Sequence, residues 1–285
     1  MEKKNMNKRM KYAAVLLFML LCVVMPLFGI TPKKLSVEQP SGQQIISKEK
    51  SETDAYWNKA EKEVYKSVHR LKVQNKQELS AGQNLRKLMR GDSARKEIAL
   101  TFDDGPHPKF TPQILEILKR NNVKATFFLV GALAEKNPAL VKMEIANGHS
   151  IGNHTYHHVN LTKIPPQYVA TEIQACGDVL KSLGVKNPHL FRPPGGDYDL
   201  NVATIANNLG YTIVLWTDDP GDYLSPGEST IKSRTLSKAK NGGIILIHDG
   251  VQQTVNVLPD IIKTLKSRGY KFVTIDDWLN NNGKP

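Results

Sequence analysis

An α/β fold, with a parallel sheet curled into a closed or nearly closed barrel, is predicted by two features of the chain. From Glu97 onward, short apolar runs alternate with stretches of helical periodicity, the pattern of parallel strands joined by crossover helices. Seven such repeats occupy about 190 residues, one fewer than the usual eightfold barrel uses. An open doubly wound sheet is the alternative. In both architectures the chemistry belongs on loops that follow strand carboxyl ends. A third observation agrees: these runs end in carboxylates, histidines and an arginine.

The N-terminal part is different. Residues 1–11 contain Lys3, Lys4, Lys8, Arg9 and Lys11, and 13–30 run without a charge. That is a basic flank followed by an apolar span just long enough to cross a bilayer. No small-x-small cleavage site follows, so a retained single-pass anchor is expected, with a cleaved signal as the alternative. Either way the remaining chain lies outside the cell membrane. Residues 31–50 are polar, with Pro32, Pro40 and Gly42, and read as a linker. Tyr56, Ala60, Val64, Val68 and Leu71 form one helical stripe, a stalk or spacer. The expected organisation is therefore 1–30 anchor, 31–95 linker and helical stalk, and 96–280 catalytic-type domain.

Charge follows the same division. Residues 1–95 hold 19 Lys and Arg against 9 Asp and Glu, while the rest hold 20 against 18. The basicity is thus not on the fold, which argues against a nucleic-acid-binding domain. Of two cysteines, Cys22 lies in the apolar span and Cys176 in a helical segment, so no disulfide staples the domain. Nothing in the pattern specifies an oligomeric state.

The strands are expected at 98–102, 125–130, near 149–152, and at 189–191, 211–216, 243–248 and 271–275. Helices are expected at 111–121, 138–147, 166–183, 199–209, 228–240 and 256–268. The first strand ends in Asp103-Asp104-Gly105-Pro106. Successive strand side chains face opposite ways, so two adjacent Asp are unsuited to packing; one can bind a cation and the other act as a base. A solvated turn is the alternative. After the third strand, His154 and His158 are four apart and would share one face of a helical turn, with His157 the other candidate partner. Two imidazoles and the Asp104 carboxylate make a three-ligand set for Zn²⁺ or a similar divalent metal.

Arg192, stiffened by Pro193 and Pro194, suits a carboxylate clamp, and Gly195-Gly196 allows close backbone approach to a ligand. A rigid turn with a surface Arg is the alternative. Asp218, Asp219, Asp222 and Tyr223 follow the fifth strand. His248 ends the sixth, where a nearby Asp would keep it protonated as a general acid requires. A satisfied core histidine would read the same way.

In this order and spacing, residues 95–280 resemble the carbohydrate esterase family 4 polysaccharide deacetylases, with their NodB homology domain. The resemblance implies a distorted (β/α)₇ barrel that hydrolyses N-acetyl groups on amino sugars with a divalent metal, Zn²⁺ foremost and Co²⁺ or another ion as alternatives. It implies Asp103 as base, Asp104, His154 and His158 as metal ligands, Arg192 as the holder of Asp103, and Asp222 paired with His248 as acid. Gly195 would offer its N–H to the oxyanion, and Leu246 and Tyr223 would line the substrate pocket. Two positions depart from the family pattern: Gly195 replaces a Tyr, with Tyr198 near enough in sequence to fill the space, and Tyr223 replaces a Trp. The expected partner is an amino-sugar polysaccharide of the envelope, peptidoglycan foremost. A catalytically silent glycan-binding barrel is the competing class. A glycosidase fits poorly, because adjacent carboxylates cannot flank a glycosidic bond at the roughly 5 Å or more required.

Overall fold

The computed structural model describes residues 65–281. The expected anchor at 13–30, the linker at 31–50 and the stripe positions Tyr56, Ala60 and Val64 lie outside the described residues. No helix among the described residues is long and apolar enough to cross a membrane.

The described chain begins with α1 (Val68–Ser80) and a short strand, β1 (Lys87–Leu88). β2 (Glu97–Gly105) leads into α2 (Phe110–Arg120), and β3 (Thr126–Leu129) into α3 (Gly131–Lys136) and α4 (Pro138–Ala146). β4 (Ser150–Asn153) precedes α5 (Pro166–Ser182), and β5 (Leu190–Phe191) precedes α6 (Leu200–Asn208). β6 (Thr212–Val214), α7 (Glu228–Lys238), β7 (Gly243–His248), α8 (Gln252–Ser267), β8 (Lys271–Val273) and α9 (Ile275–Asn281) complete it. Most helices match expectation to within one or two residues. The exceptions are α1, which runs on to Ser80 where the expected stripe ends at Leu71, α8, which starts four residues early, and α3 and α9, whose short lengths leave too little periodicity to read.

All strand pairs are parallel, in the order β1-β6-β5-β4-β3-β2-β7, with β8 on β2. β8 takes residues 97–99 of β2, while β3 pairs from Thr101 onward. Beyond β6 the chain leans onto β7: the N–H groups of Thr217 and Asp218 donate to the Ile244 carbonyl, and the Leu246 N–H donates to that of Asp218. This curved sheet with surrounding helices is consistent with a distorted (β/α)₇ barrel. β2 to β8 fall on the seven expected runs, and β1 is an addition.

Strand alternation sorts the side chains into two layers. In β2, Ile98, Leu100 and Phe102 pack with Ile114 and Leu118 of α2 and with Leu258 and Ile262 of α8. Ala99 faces the other way, with Phe128, Ile244 and Leu246. Carrying that period forward puts Thr101 and Asp103 on the inner face, beside His248, which is in register with Asp103.

Residues 65–95 pack on the barrel. Ser67 caps α1 by accepting the Arg70 N–H, Leu71 is wholly buried in the inner core, and β1 extends the sheet beside β6. The Gly91 N–H donates to the Gly242 carbonyl. This part of the expected stalk thus shares the core of the domain.

Candidate active site

Because every strand is parallel, the carboxyl ends of β2, β4, β5 and β7 open onto one mouth, and the residues singled out by sequence sit there. Asp103 is buried on the inner face. Asp104 adopts a left-handed φ of 70°, uncommon for a residue with a side chain, which turns its carboxylate toward β4.

His154 directly follows β4. Its Nδ1 hydrogen-bonds the Arg192 carbonyl at 2.7 Å, so Nδ1 carries a proton and Nε2 is the ring atom turned toward Asp104. The Asn153 side chain holds this turn, accepting the Thr155 N–H at 2.9 Å and donating to the Ile173 carbonyl at 2.7 Å. The segment from His154 to His158 is not helical. Positive φ at Thr155 (66°) and His158 (60°) folds the loop back instead, bringing the two imidazole centroids to 4.8 Å. The helical-turn expectation is corrected on this point: the i,i+4 pair meets through left-handed turns. His157 points elsewhere, with its Nδ1 on Glu172 Oε1 at 2.7 Å and its N–H on Glu172 Oε2 at 2.9 Å.

Asp104 Oδ1 lies 3.3 Å from His154 Nε2 and 3.0 Å from His158 Nε2. The ligand atoms of Asp104, His154 and His158 all fall within 4.8 Å of one another. Burial alone would raise the Asp104 carboxyl, but the neighbouring His158 and His154 hold it well below the usual carboxylate range. An ionised oxygen and a tautomer-fixed imidazole nitrogen, with a second imidazole beside them, are the donors a divalent ion of zinc type takes. The residues fit such an ion.

Arg192 carries no exposed surface. Its Nη1 donates to Asp103 Oδ1 at 2.6 Å and to Thr101 Oγ1 at 2.8 Å, and its Nε donates to the Val214 carbonyl at 3.1 Å. The guanidinium stacks over Phe128, 4.0 Å from the ring centroid. The surface-Arg alternative is therefore excluded. Just beyond it, Gly195 sits in a buried 3₁₀ turn (Pro194–Gly196) with φ of 61°. A Cβ on Gly196 would meet the Trp216 ring at 2.5 Å, so the second glycine is required by close packing. Tyr198 does not fill the space beside Gly195: it is buried, with its hydroxyl bound to Glu78.

Asp222 is fully buried and fastens His248 twice: Oδ1 meets His248 Nδ1 at 2.7 Å, and Oδ2 accepts the His248 N–H at 2.8 Å. Thr254 Oγ1 also donates to Oδ2, at 2.5 Å. Burial would depress the imidazole, but the Asp222 charge outweighs it, raising His248 to about 9. Nε2 is then left to face the mouth as a proton donor. Leu246 lies two residues earlier on the same face and is buried in the inner core. Tyr223 presents its ring edge to His248 at 5.3 Å.

Sequence reasoning passed over Thr101, Asn153 and Thr254, which support the site. Thr101 carried a signal, since it lies two residues before Asp103 and so shares its face. The other two carried none.

Residues 90–214 match the family model for polysaccharide deacetylase. A peptidoglycan-N-acetylglucosamine deacetylase of Bacillus cereus is 42% identical over 189 residues, covering 65% of this chain and 88% of that one. A peptidoglycan-N-acetylmuramic acid deacetylase of Bacillus subtilis is 35% identical over 185 residues, covering 65% and 39% respectively. Among solved structures, a peptidoglycan N-acetylglucosamine deacetylase in complex with an N-hydroxybenzamide compound superposes with a TM-score of 0.67 at 38% identity. It covers 70% of this chain and 95% of that one.

Proposed function

We propose that this chain, which belongs to the polysaccharide deacetylase family, removes N-acetyl groups from amino-sugar residues of an envelope polysaccharide, peptidoglycan foremost, releasing acetate. One observation carries the reading. A three-donor cluster of Asp104, His154 and His158 lies at the same strand ends as an Arg-held carboxylate and an Asp-held imidazolium. The relatives acting on peptidoglycan support the choice of polymer.

A divalent ion bound by Asp104, His154 and His158 would supply Lewis acidity, lowering the pKa of water and polarising an amide oxygen. Asp103 is the base that takes the proton of the attacking water, and Arg192 fixes its Oδ1 so that Oδ2 faces the cluster. The N–H of Gly195 is offered to the developing oxyanion, a kind of contact worth roughly 2.7–4 kcal/mol. His248 passes the proton on Nε2 to the departing amine, while Asp222 keeps the imidazole charged and oriented. Leu246 and Tyr223 shape the pocket around the acetyl methyl and the sugar. A silent glycan-binding barrel would need neither the Arg192–Asp103 pair nor the Asp222–His248 pair.

The ion is proposed as Zn²⁺, with Co²⁺ as the alternative. The chain is proposed to be held at the cell membrane by residues 13–30, with the barrel outside. Acetate release by the full chain from purified peptidoglycan and from N-acetylglucosamine oligomers, with each ion added after chelation, tests the reading. Release that requires an ion and disappears in Asp104→Ala is expected. Ion binding without release from either glycan would favour the silent barrel.

A further inference from the structure

Tyr65 precedes α1, outside the region matched by the family model, yet it stands at the mouth. Its ring is parallel to that of Tyr223, with centroids 4.0 Å apart and an interplanar angle of 13°. It lies edge-on to His248 at 5.8 Å, and its hydroxyl is 3.4 Å from His248 Nε2. Asp222 occupies Nδ1, so Nε2 is where a leaving nitrogen must approach within hydrogen-bond reach. A sugar whose nitrogen reaches Nε2 is brought beside Tyr65, whose hydroxyl lies 3.4 Å from the same atom.

The ring is held in place. The neighbouring Lys66 donates its N–H to the Gly195 carbonyl at 2.8 Å. The Lys66 ammonium contacts Asp197 Oδ1 at 2.8 Å, Gln74 Oε1 at 2.9 Å and the Tyr198 carbonyl at 3.1 Å. Burial alone would raise Asp197, but Lys66 and its other donors keep it below the usual carboxylate range. A segment tied this way to the loop after β5 acts as a wall and not as a lid. Tyr65 and Tyr223 are both half-buried, so the pair presents aromatic surface to a ligand at the mouth.

We propose that Tyr65 is a substrate-contacting specificity residue: with Tyr223 it forms an aromatic platform for the amino-sugar ring whose nitrogen faces His248. The inference rests on the deacetylase reading for the direction of the sugar. It implies that residues before the family-matched region help to select the glycan.

Binding of an N-acetylglucosamine tetramer is measured by titration calorimetry on the full chain carrying Asp103→Asn, so that the probe is not consumed. Adding Tyr65→Ala is expected to weaken binding about five- to tenfold, the range of one aromatic contact. Tyr65→Phe and Tyr65→Trp should stay within about twofold of the parent, and melting temperatures should not move. If Tyr65→Ala fails to fold, Tyr65→Leu, which keeps bulk without a planar face, replaces it with the same expectation. Unchanged or tighter binding by the Ala or Leu variant, an equal loss in Tyr65→Phe, or a parent that does not bind the tetramer overturns the platform. Binding that depends on Tyr65, with no acetate released when Asp103 is restored, overturns the deacetylase reading and leaves the platform standing. Acetate release with binding indifferent to Tyr65 does the reverse.

Discussion

Two buried ion pairs define the site at the residue scale, and they do different work. Arg192 and Asp103 are both desolvated, so each is tolerable only in the other's company. Arg192→Ala should cost roughly 3–5 kcal/mol, seen as a lower midpoint in urea, because Asp103 is left buried without its cation. Arg192→Lys should restore part of the stability and little of the activity, since an ammonium cannot reproduce the fork that reaches Asp103, Thr101 and two carbonyls. The Asp222–His248 pair sets protonation. The acid works only while His248 is charged, so activity falls as pH rises through its value of about 9. Asp222→Asn removes the charge that raises it and leaves burial to depress it. The alkaline limb of kcat/KM against pH should then move down by about 1–2 units.

Among the elements, β2 matters most, because its inner face carries both the packing residue Ala99 and the functional pair Thr101 and Asp103. α5 has a less obvious part. A Cβ on Gly177 would meet the Tyr211 hydroxyl at 2.3 Å, and that hydroxyl accepts from Asn153 Nδ2 at 3.1 Å. Gly177→Ala should therefore disturb the turn that presents His154. A loss of about 1–3 kcal/mol in thermal unfolding is expected, as for other overpacked sites, with weaker Zn²⁺ binding by competition titration. α1 is joined to the barrel by Leu71 and by Glu78, which bridges Lys87 and Tyr198. Leu71→Ala should cost roughly 2–5 kcal/mol of domain stability, whereas a detached stalk helix would lose almost nothing by the same assay.

At the scale of the whole molecule, the position of charge governs behaviour. Residues 65–95, which pack on the barrel, hold eight Lys and Arg against two Asp and Glu, so the folded body is itself basic rather than neutral. A deacetylated glycan gains cationic amines, and a basic body does not hold them back electrostatically. The body also contains acids that burial keeps protonated. Asp218 is pushed up to about 7, and neither of its carboxylate oxygens has a hydrogen-bond partner among the described residues. A folded value above the unfolded one favours the neutral acid, so this contribution is complete below about pH 4 and lost as pH rises toward 7. Asp218→Asn should accordingly raise stability at pH 8 by on the order of 1–2 kcal/mol, seen as a higher melting temperature, and change little at pH 4.

The repeat pattern was legible because alternation of strand and helix is local, and parallel strands force their carboxyl ends to one side. Asp103, Asp104, His154, His158, Arg192, Asp222 and His248 are therefore readable as a group from the sequence alone. How they meet is not. A helical turn and a left-handed loop both bring residues four apart together, and the packing of α5 and Tyr211 on Asn153 selects the loop. Tyr198 is adjacent to the Gly195 turn in sequence, yet its buried contact with Glu78 turns it away. Tyr65 is 183 residues from His248 and carries no local signal. The linear sequence determined which groups stand at strand ends. Long-range packing decided their orientation and their company, because side-chain direction depends on neighbours that local periodicity does not encode.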